Sequence, residues 1–329
     1  MTKRFAAVAR VAAVTALLAA CGATGTPVDP APVSPEAPLP VGVVQNPTAT
    51  ATSGAPVPQC PADGRASFRP GALPAPGQLP AGSTMDRIKQ NGLLKAGVDQ
   101  NTFLFGFRNP STNQLEGFDI DRVHEIAAAI FGDPTKVQFK VLTSAQRIPA
   151  LQNGDVDVVV RTFTANCDRW SKIDFSRIYY VAHQRLLVDR SSDIDSLERL
   201  AGKRVCAQQG STSISNLAQR APNATRVATN TWSDCLVMLQ QHQVDAVSTD
   251  DVILSGLAAQ DPNVKLSGAA LTDEPYGIGI PQGKEDLARF VNAVLEKSIR
   301  DGSWAKSYDK WVGSRTGESA SPPPAEYRD

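Results

Sequence analysis

Two short phrases of the chain run into residues of opposite charge. Leu151-Gln152-Asn153-Gly154-Asp155-Val156-Asp157-Val158-Val159 leads to Arg161-Thr162-Phe163-Thr164. Beginning 88 residues later, Leu239-Gln240-Gln241-His242-Gln243-Val244-Asp245-Ala246-Val247 leads to Ser248-Thr249-Asp250-Asp251. Leu, Gln, Val, Asp and Val recur in register, and each copy reads as a helix end, a tight turn and a short buried strand. Ligands of open α/β sheets gather at the carboxyl ends of strands. An arginine at one such end and an aspartate at the other suit a zwitterion, guanidinium for its carboxylate and carboxylate for its ammonium.

The elements that would position these ends alternate along the chain. A capped helix is expected from Ser83 to Asn91, with Ser83 or Thr84 as the cap. Strands are expected at Leu93–Val98, Val137–Leu142, Val156–Val160, Arg185–Val188, Arg204–Ala207, Thr225–Ala228, Val244–Ser248 and Gly277–Ile280. Between them lie helical segments. The stripe Ile120, Val123, Ile126, Ala127, Ile130 marks one over Phe118–Phe131, and others fall at about 145–152, 211–219, 233–241, 250–259, 285–300 and 302–312. Alternation of this kind implies parallel sheets with right-handed crossovers, an α/β fold.

The chain has 329 residues, enough for two packed domains, and 33 basic residues balance 33 acidic ones. That balance gives no reason to expect nucleic acid as a partner. Lys3 and Arg4 precede an apolar run, Val11 to Ala20, too short to span a bilayer. It ends Leu18-Ala19-Ala20-Cys21, which resembles a bacterial lipobox and implies lipidation of Cys21. The expected compartment is therefore extracytoplasmic, with the protein anchored by lipid to the cell membrane. Residues 22–80 hold 14 of the 24 prolines and read as a disordered tether, and 316–329 as a disordered tail. Cys60, Cys167, Cys206 and Cys235 remain, an even number that suggests two disulfides with three possible pairings. Cys206–Cys235, on a strand and at a helix start, is favoured, leaving Cys60–Cys167. No cysteine or histidine spacing points to a metal, and no cofactor is expected.

Several stretches, in order, resemble the extracytoplasmic amino-acid-binding proteins of ABC importers, solute-binding protein family 3. They are Gly117-Phe118-Asp119-Ile120-Asp121, then Ile148-Pro149-Ala150-Leu151-Gln152-Asn153-Gly154-Asp155-Val156-Asp157, then Asp174-Phe175-Ser176 with Tyr179-Tyr180. Gly202-Lys203-Arg204-Val205 with Gly210-Ser211-Thr212 follows. The likeness covers residues 82–312. Gly82 to Ile88 and Thr143 to Pro149 are similar to the glutamate/aspartate branch, and the leader and extra cysteines resemble actinobacterial versions. The resemblance implies a two-lobed, type II periplasmic-binding-protein fold with hinge crossings near Tyr179–His183 and Asp273–Gly277. Lobe 1 would comprise 81–182 and 276–315, and lobe 2 would comprise 183–275. A signal peptide (1–21) and the tether (22–80) would precede them.

The resemblance also implies a ligand set. Thr164 and Arg169 match a Thr-x4-Arg pattern that holds the α-carboxylate. Ser211 and Thr212 would add helix N-terminal donors, and Asp250 would take the α-ammonium. Arg147 and Arg161 are candidates for the ligand's side chain. Thr162 and Gln208 complete the expected polar wall. The chain departs from the pattern in having Asp99 after its first strand, and in Thr102 and Ser144 where aromatic platforms are common. Phe103, Phe105 or Tyr180 would compensate. The expected ligand is aspartate, glutamate, asparagine or glutamine, delivered by a monomer to an ABC permease. The alternatives are a sensor passing occupancy to a membrane signalling partner and, less favoured, a dehydratase on the same fold. His124, His183 and His242 are scattered, and no hydrolase or phosphate-loop motif is present, so no enzyme is expected.

Overall fold

The computed structural model describes residues 39–47, 60–317 and 319–329. The expected signal peptide, Cys21 and much of the proline-rich stretch lie outside the described residues. In chain order the strands are β1 (Val44–Gln45), β2 (Leu94–Val98), β3 (Asn101–Thr102), β4 (Gly106–Arg108), β5 (Leu115–Glu116), β6 (Val137–Val141), β7 (Val158–Val159), β8 (Asp174–Phe175), β9 (Tyr180–Asp189), β10 (Arg204–Gln208), β11 (Thr225–Thr229), β12 (Ala246–Asp250), β13 (Val264–Tyr276) and β14 (Gly279–Ile280). One sheet has the order β6-β2-β7-β14-β8, a second β1-β11-β10-β12-β9-β13, and β3-β4-β5 form a small third.

Within each large sheet three adjacent strands are parallel: β6, β2 and β7 in one, β11, β10 and β12 in the other. The chain leaves the first sheet after β8, enters the second along β9 and returns along β13 to β14. β9 and β13 pair antiparallel from Val264↔Asp189 to Tyr276↔Tyr180, with a register shift between Ser267 and Thr272. These two strands therefore form a ribbon reaching between the sheets. β13 escapes a sequence reading because Thr272-Asp273-Glu274-Pro275 carries no apolar alternation. Pro275 is tolerated because this is an edge strand, where a missing N–H costs no ladder bond.

The repeated phrase does the same structural work twice. Asp157 Oδ2 accepts from the N–H of Lys95 at 2.8 Å, and Asp245 Oδ2 from that of Arg204 at 2.7 Å. Each aspartate thus fastens the start of the parallel strand beside it, β2 or β10. The tight turn before each uses positive φ, at Gly154 (φ 70) and at His242 (φ 54). β7 and β12 follow from these turns, one in each large sheet.

The helix Phe118–Phe131 buries the expected stripe, Ile120, Val123, Ile126, Ala127 and Ile130. Burying each large aliphatic side chain is worth about 1.5–3 kcal/mol. Its start needs a glycine: Gly117 has φ 133, and a Cβ there would lie 2.1 Å from the Phe105 carbonyl oxygen. Both expected disulfides form, Cys60–Cys167 and Cys206–Cys235.

Two stretches expected to be disordered are packed. Residues 60–80 run along the first sheet's lobe: Ser67 bridges Tyr327 in parallel and donates to the Phe175 carbonyl at 2.7 Å. β1 adds an edge strand antiparallel to β11. At the other end Arg328 stacks over Phe68 and Trp170 and pairs with Asp174 at 2.9 Å. Composition misses these because the segments bury isolated aromatic and arginine side chains against the body without a periodic apolar face of their own.

Candidate functional site

The carboxyl ends of β7 and β12 face a shared crevice. It is lined by Ser144, Arg147, Thr162, Thr164 and Arg169 from the first lobe, and by Ser211, Thr212, Ser213, Trp232, Thr249, Asp250 and Ile253 from the second. Seven of the expected ligand residues are therefore together: Arg147, Thr162, Thr164, Arg169, Ser211, Thr212 and Asp250.

One end of the crevice is cationic. Arg147 and Arg169 both lie against Phe163, their guanidinium carbons 4.3 and 5.0 Å from its ring centre. Arg147 donates to the carbonyls of Ser144, Arg161 and Thr162 at 3.0–3.3 Å. Arg169 donates to the Thr164 carbonyl at 2.7 Å. Both guanidiniums also reach the Gly210 carbonyl of the opposite lobe, at 3.2 and 3.3 Å. Among the described residues neither has a carboxylate partner within ion-pair distance. Burial, followed by the neighbouring guanidiniums of Arg169 and Arg161, pulls the Arg147 pKa well down. Burial lowers that of Arg169, with Glu274 and Asp250 working against it. The site therefore holds two dehydrated cations where an anion is favoured.

The other end is anionic. Asp250 terminates β12 and is 4% exposed. Its Oδ2 accepts from the Tyr276 hydroxyl, whereas its Oδ1 is buried with no partner among the described residues. Burial first, and then the charge of Glu274, pushes its pKa well above the usual carboxylate range. The indole Nε1 of Trp232, which also lines the crevice, is a buried donor without an acceptor among the described residues. Buried polar atoms are nearly always paired, so an orphan acceptor and an orphan donor in one crevice point to a polar occupant.

Four expected site residues do not line the crevice. Arg161 is spent on a buried ion pair with Asp99, Nη2 to Oδ2 2.8 Å. It also donates to the Leu142 carbonyl and the Ser144 hydroxyl, both at 2.7 Å. Asp99 in turn accepts from Thr102 Oγ1 at 2.6 Å and from the N–H of Gln100 at 2.7 Å. The departure Asp99 thus explains the arginine at 161: each neutralises the other. Gln208 crosses between the lobes, accepting from Ser144 Oγ at 2.6 Å. Phe105 is wholly buried in an aromatic cluster with Phe118, Tyr180 and Tyr276.

The Gly-Phe-Asp-x-Asp stretch acts from behind. Asp119 accepts the N–H of Thr162 at 2.8 Å and the Tyr179 hydroxyl at 2.6 Å. Thr162 has φ 37, an unfavourable region for a β-branched residue. The buried carboxyl, its pKa raised to about 6 by desolvation, holds this strained corner of the crevice in place. Sequence reasoning missed Glu274 and Trp232 as parts of the site. Glu274 lies within the stretch read as the second crossing, and nothing in the chain marks Trp232. Ser144, which stands where the family commonly has an aromatic platform, lines the crevice.

A family model for bacterial extracellular solute-binding proteins, family 3, matches residues 94–314. The chain belongs to this family. Its two-lobed α/β architecture is that of the type II amino-acid-binding proteins. The ABC transporter glutamine-binding protein GlnH of Bacillus subtilis is 44% identical over 230 residues, covering 70% of this chain and 84% of that one. The glutamate-binding protein GluB of Corynebacterium glutamicum is 31% identical over 237 residues, covering 68% and 80%. Among solved structures, an ancestral arginine-binding protein bound to glutamine superposes with a TM-score of 0.64 at 36% identity, covering 68% of this chain and 98% of that one. In this family 3 protein the matched region begins with β2 and ends beyond the helix Ser303–Tyr308, so it contains every crevice residue.

Proposed function

We propose that this protein captures one polar α-amino acid in the interlobe crevice and presents it to an ABC permease. The orphan Asp250 Oδ1 carries this reading: a buried acceptor facing a pair of guanidiniums across a crevice complements an ammonium and a carboxylate on one small molecule. Arg169, with Arg147 beside it, receives the α-carboxylate, and Asp250 the α-ammonium. Trp232 Nε1 and the remaining face of Arg147 donate to an oxygen of the ligand's side chain. That set of donors favours aspartate, glutamate, asparagine or glutamine. Relatives named for glutamine and glutamate support the same class. Closure follows from differential affinity, since the ligand bridges both lobes only when they meet. Lipid on Cys21 and the proline-rich stretch would keep the receptor outside the membrane near its permease. A thermal-shift screen of the twenty amino acids tests the proposal. A stabilising response confined to the four named ligands is expected, and no response to any amino acid refutes it.

A further inference from the structure

Arg169 is carried by a helix of only four residues, Cys167–Trp170. A single helical turn does not hold itself in water. Asn166 caps it: its Oδ1 accepts from the N–H of Arg169 at 3.0 Å, and its carbonyl from that of Trp170 at 2.8 Å. Further support comes from far up the chain. Cys60, 107 positions before Cys167, is bonded by a disulfide to this first residue of the helix. The chain then turns through Ala62, Asp63 and Gly64, with φ 48, 51 and 85. Left-handed backbone at two consecutive residues other than glycine is strained and persists only where its surroundings fix it. The turn is fixed at both ends. The disulfide holds one. Ser67 holds the other, donating to the Phe175 carbonyl at 2.7 Å and accepting from Asn292 Nδ2 at 2.8 Å. Between them Gly64 lies flat on the cap of the helix, where a Cβ would stand 2.6 Å from the Asn166 carbonyl carbon and 2.8 Å from its Cα.

We infer that Cys60–Gly64 is a positioning element for Arg169: the disulfide and the Gly64 contact clamp the one-turn helix, so that the guanidinium is set in the crevice wall before a ligand arrives. This rests on the proposed amino-acid ligand. The clamp lies ahead of residue 94, where the family match begins, so it is an addition to the matched region. Its purpose is preorganisation. Without it the helical turn frays in the free protein, and the ligand must order that turn again. No strand of either large sheet lies in the segment, so the loss falls on affinity and on local order around Arg169.

The test is titration calorimetry of the full chain with L-aspartate, L-glutamate, L-asparagine and L-glutamine, with hydrogen exchange read by mass spectrometry on the same samples. Cys60→Ser/Cys167→Ser breaks the covalent link, and Gly64→Ala pushes the turn off the cap. Both are expected to raise the dissociation constant by at least about fivefold, the worth of ordering one residue's backbone again. Both should also speed exchange of the amides of residues 169–173 in the free protein, with wild-type protection regained at saturating ligand and the rest of the first lobe unchanged. Should the serine pair fail to fold, Gly64→Ala decides alone. A smaller loss of affinity overturns the positioning role. So does a full loss with unchanged exchange at 169–173, which would route the effect through the neighbouring contact of Arg65 with Asp273 on β13 (3.3 Å). Faster exchange across the whole first lobe overturns it too, since the disulfide would then be structural only. Each of these leaves amino-acid capture standing, whereas a wild type that binds none of the four amino acids overturns both.

Discussion

Replacing Asp250 by Asn should move affinity and stability in opposite directions. The side chain is buried, its Oδ1 has no partner among the described residues, and its Oδ2 holds the Tyr276 hydroxyl. Asparagine keeps the shape and the contact with Tyr276 but removes the charge. Leaving one member of a buried charge pair unmatched costs about 2–5 kcal/mol, so the dissociation constant should rise about 30- to 5,000-fold. The free protein responds with the other sign. Burial and the adjacent Glu274 raise the folded-state pKa of Asp250 above its unfolded value. Its contribution to stability is therefore present below the unfolded pKa and lost as pH rises through the folded one, and the neutral amide removes that loss. At neutral pH the variant's melting temperature should equal or exceed that of the wild type. Because the carboxyl must shed its proton to face an ammonium, wild-type affinity should climb with pH above the ordinary carboxylate range, and the variant should lack that climb. Calorimetric titration and scanning calorimetry from pH 5 to 8 read both quantities. Affinity within threefold of wild type, or weakened binding accompanied by a lower melting temperature of the free protein, would refute the reasoning.

Three further outcomes are expected. Arg169→Ala should weaken amino-acid binding by about 2–5 kcal/mol with the circular dichroism spectrum unchanged, because among the described residues its guanidinium donates only to the carbonyls of Thr164 and Gly210. Gly210→Ala should hinder closure, since Gly210 has φ 76 and a Cβ would lie 2.7 Å from the Ala145 backbone of the other lobe. Calorimetry should show at least about tenfold weaker binding, with the free protein losing only the roughly 1–2 kcal/mol that a side chain costs in a left-handed conformation. The third concerns the buried pair Arg122–Glu125 (2.7 Å), whose Glu125 carboxyl is raised to about 7 by burial. Its contribution to stability is present below its ordinary pKa and is lost as pH rises through about 7, on the order of 3 kcal/mol in all. Chemical denaturation at pH 5 and 8 should show that Arg122→Met/Glu125→Leu together flatten this dependence and match or exceed wild-type stability, whereas Arg122→Met alone lowers stability at pH 8.

The paired crevice ends were legible because each depends on a local pattern. The helix-turn-strand phrase, with aspartates at 157 and 245 that fasten the neighbouring strands, fixes where β7 and β12 end and so where Thr164 and Asp250 stand. Arg169 was found through the family resemblance, whose Thr-x4-Arg pattern it matches, and Ser211 through its place before a helix. Arg161 went the other way: its type suited a ligand carboxylate, but Asp99, sixty-two positions earlier, claims it first. A sequence shows which side chains are charged, and long-range pairing decides which charges are left over.

The chain's own order of residues determined the α/β alternation, the repeat, the family and the helix stripes, because periodicity and turn chemistry act over a few residues. Tertiary structure alone decided that β13 runs through Glu274, that this carboxylate meets threonines from both lobes, and that Trp232 stands in the crevice wall. It also decided that the proline-rich stretch from Cys60 and the last residues lie down on the body. Those outcomes rest on contacts between segments far apart in the chain, such as Arg328 with Asp174 and Thr164 with Glu274. Their free energy comes from desolvation and hydrogen-bond pairing in the folded interior, where no local pattern records it.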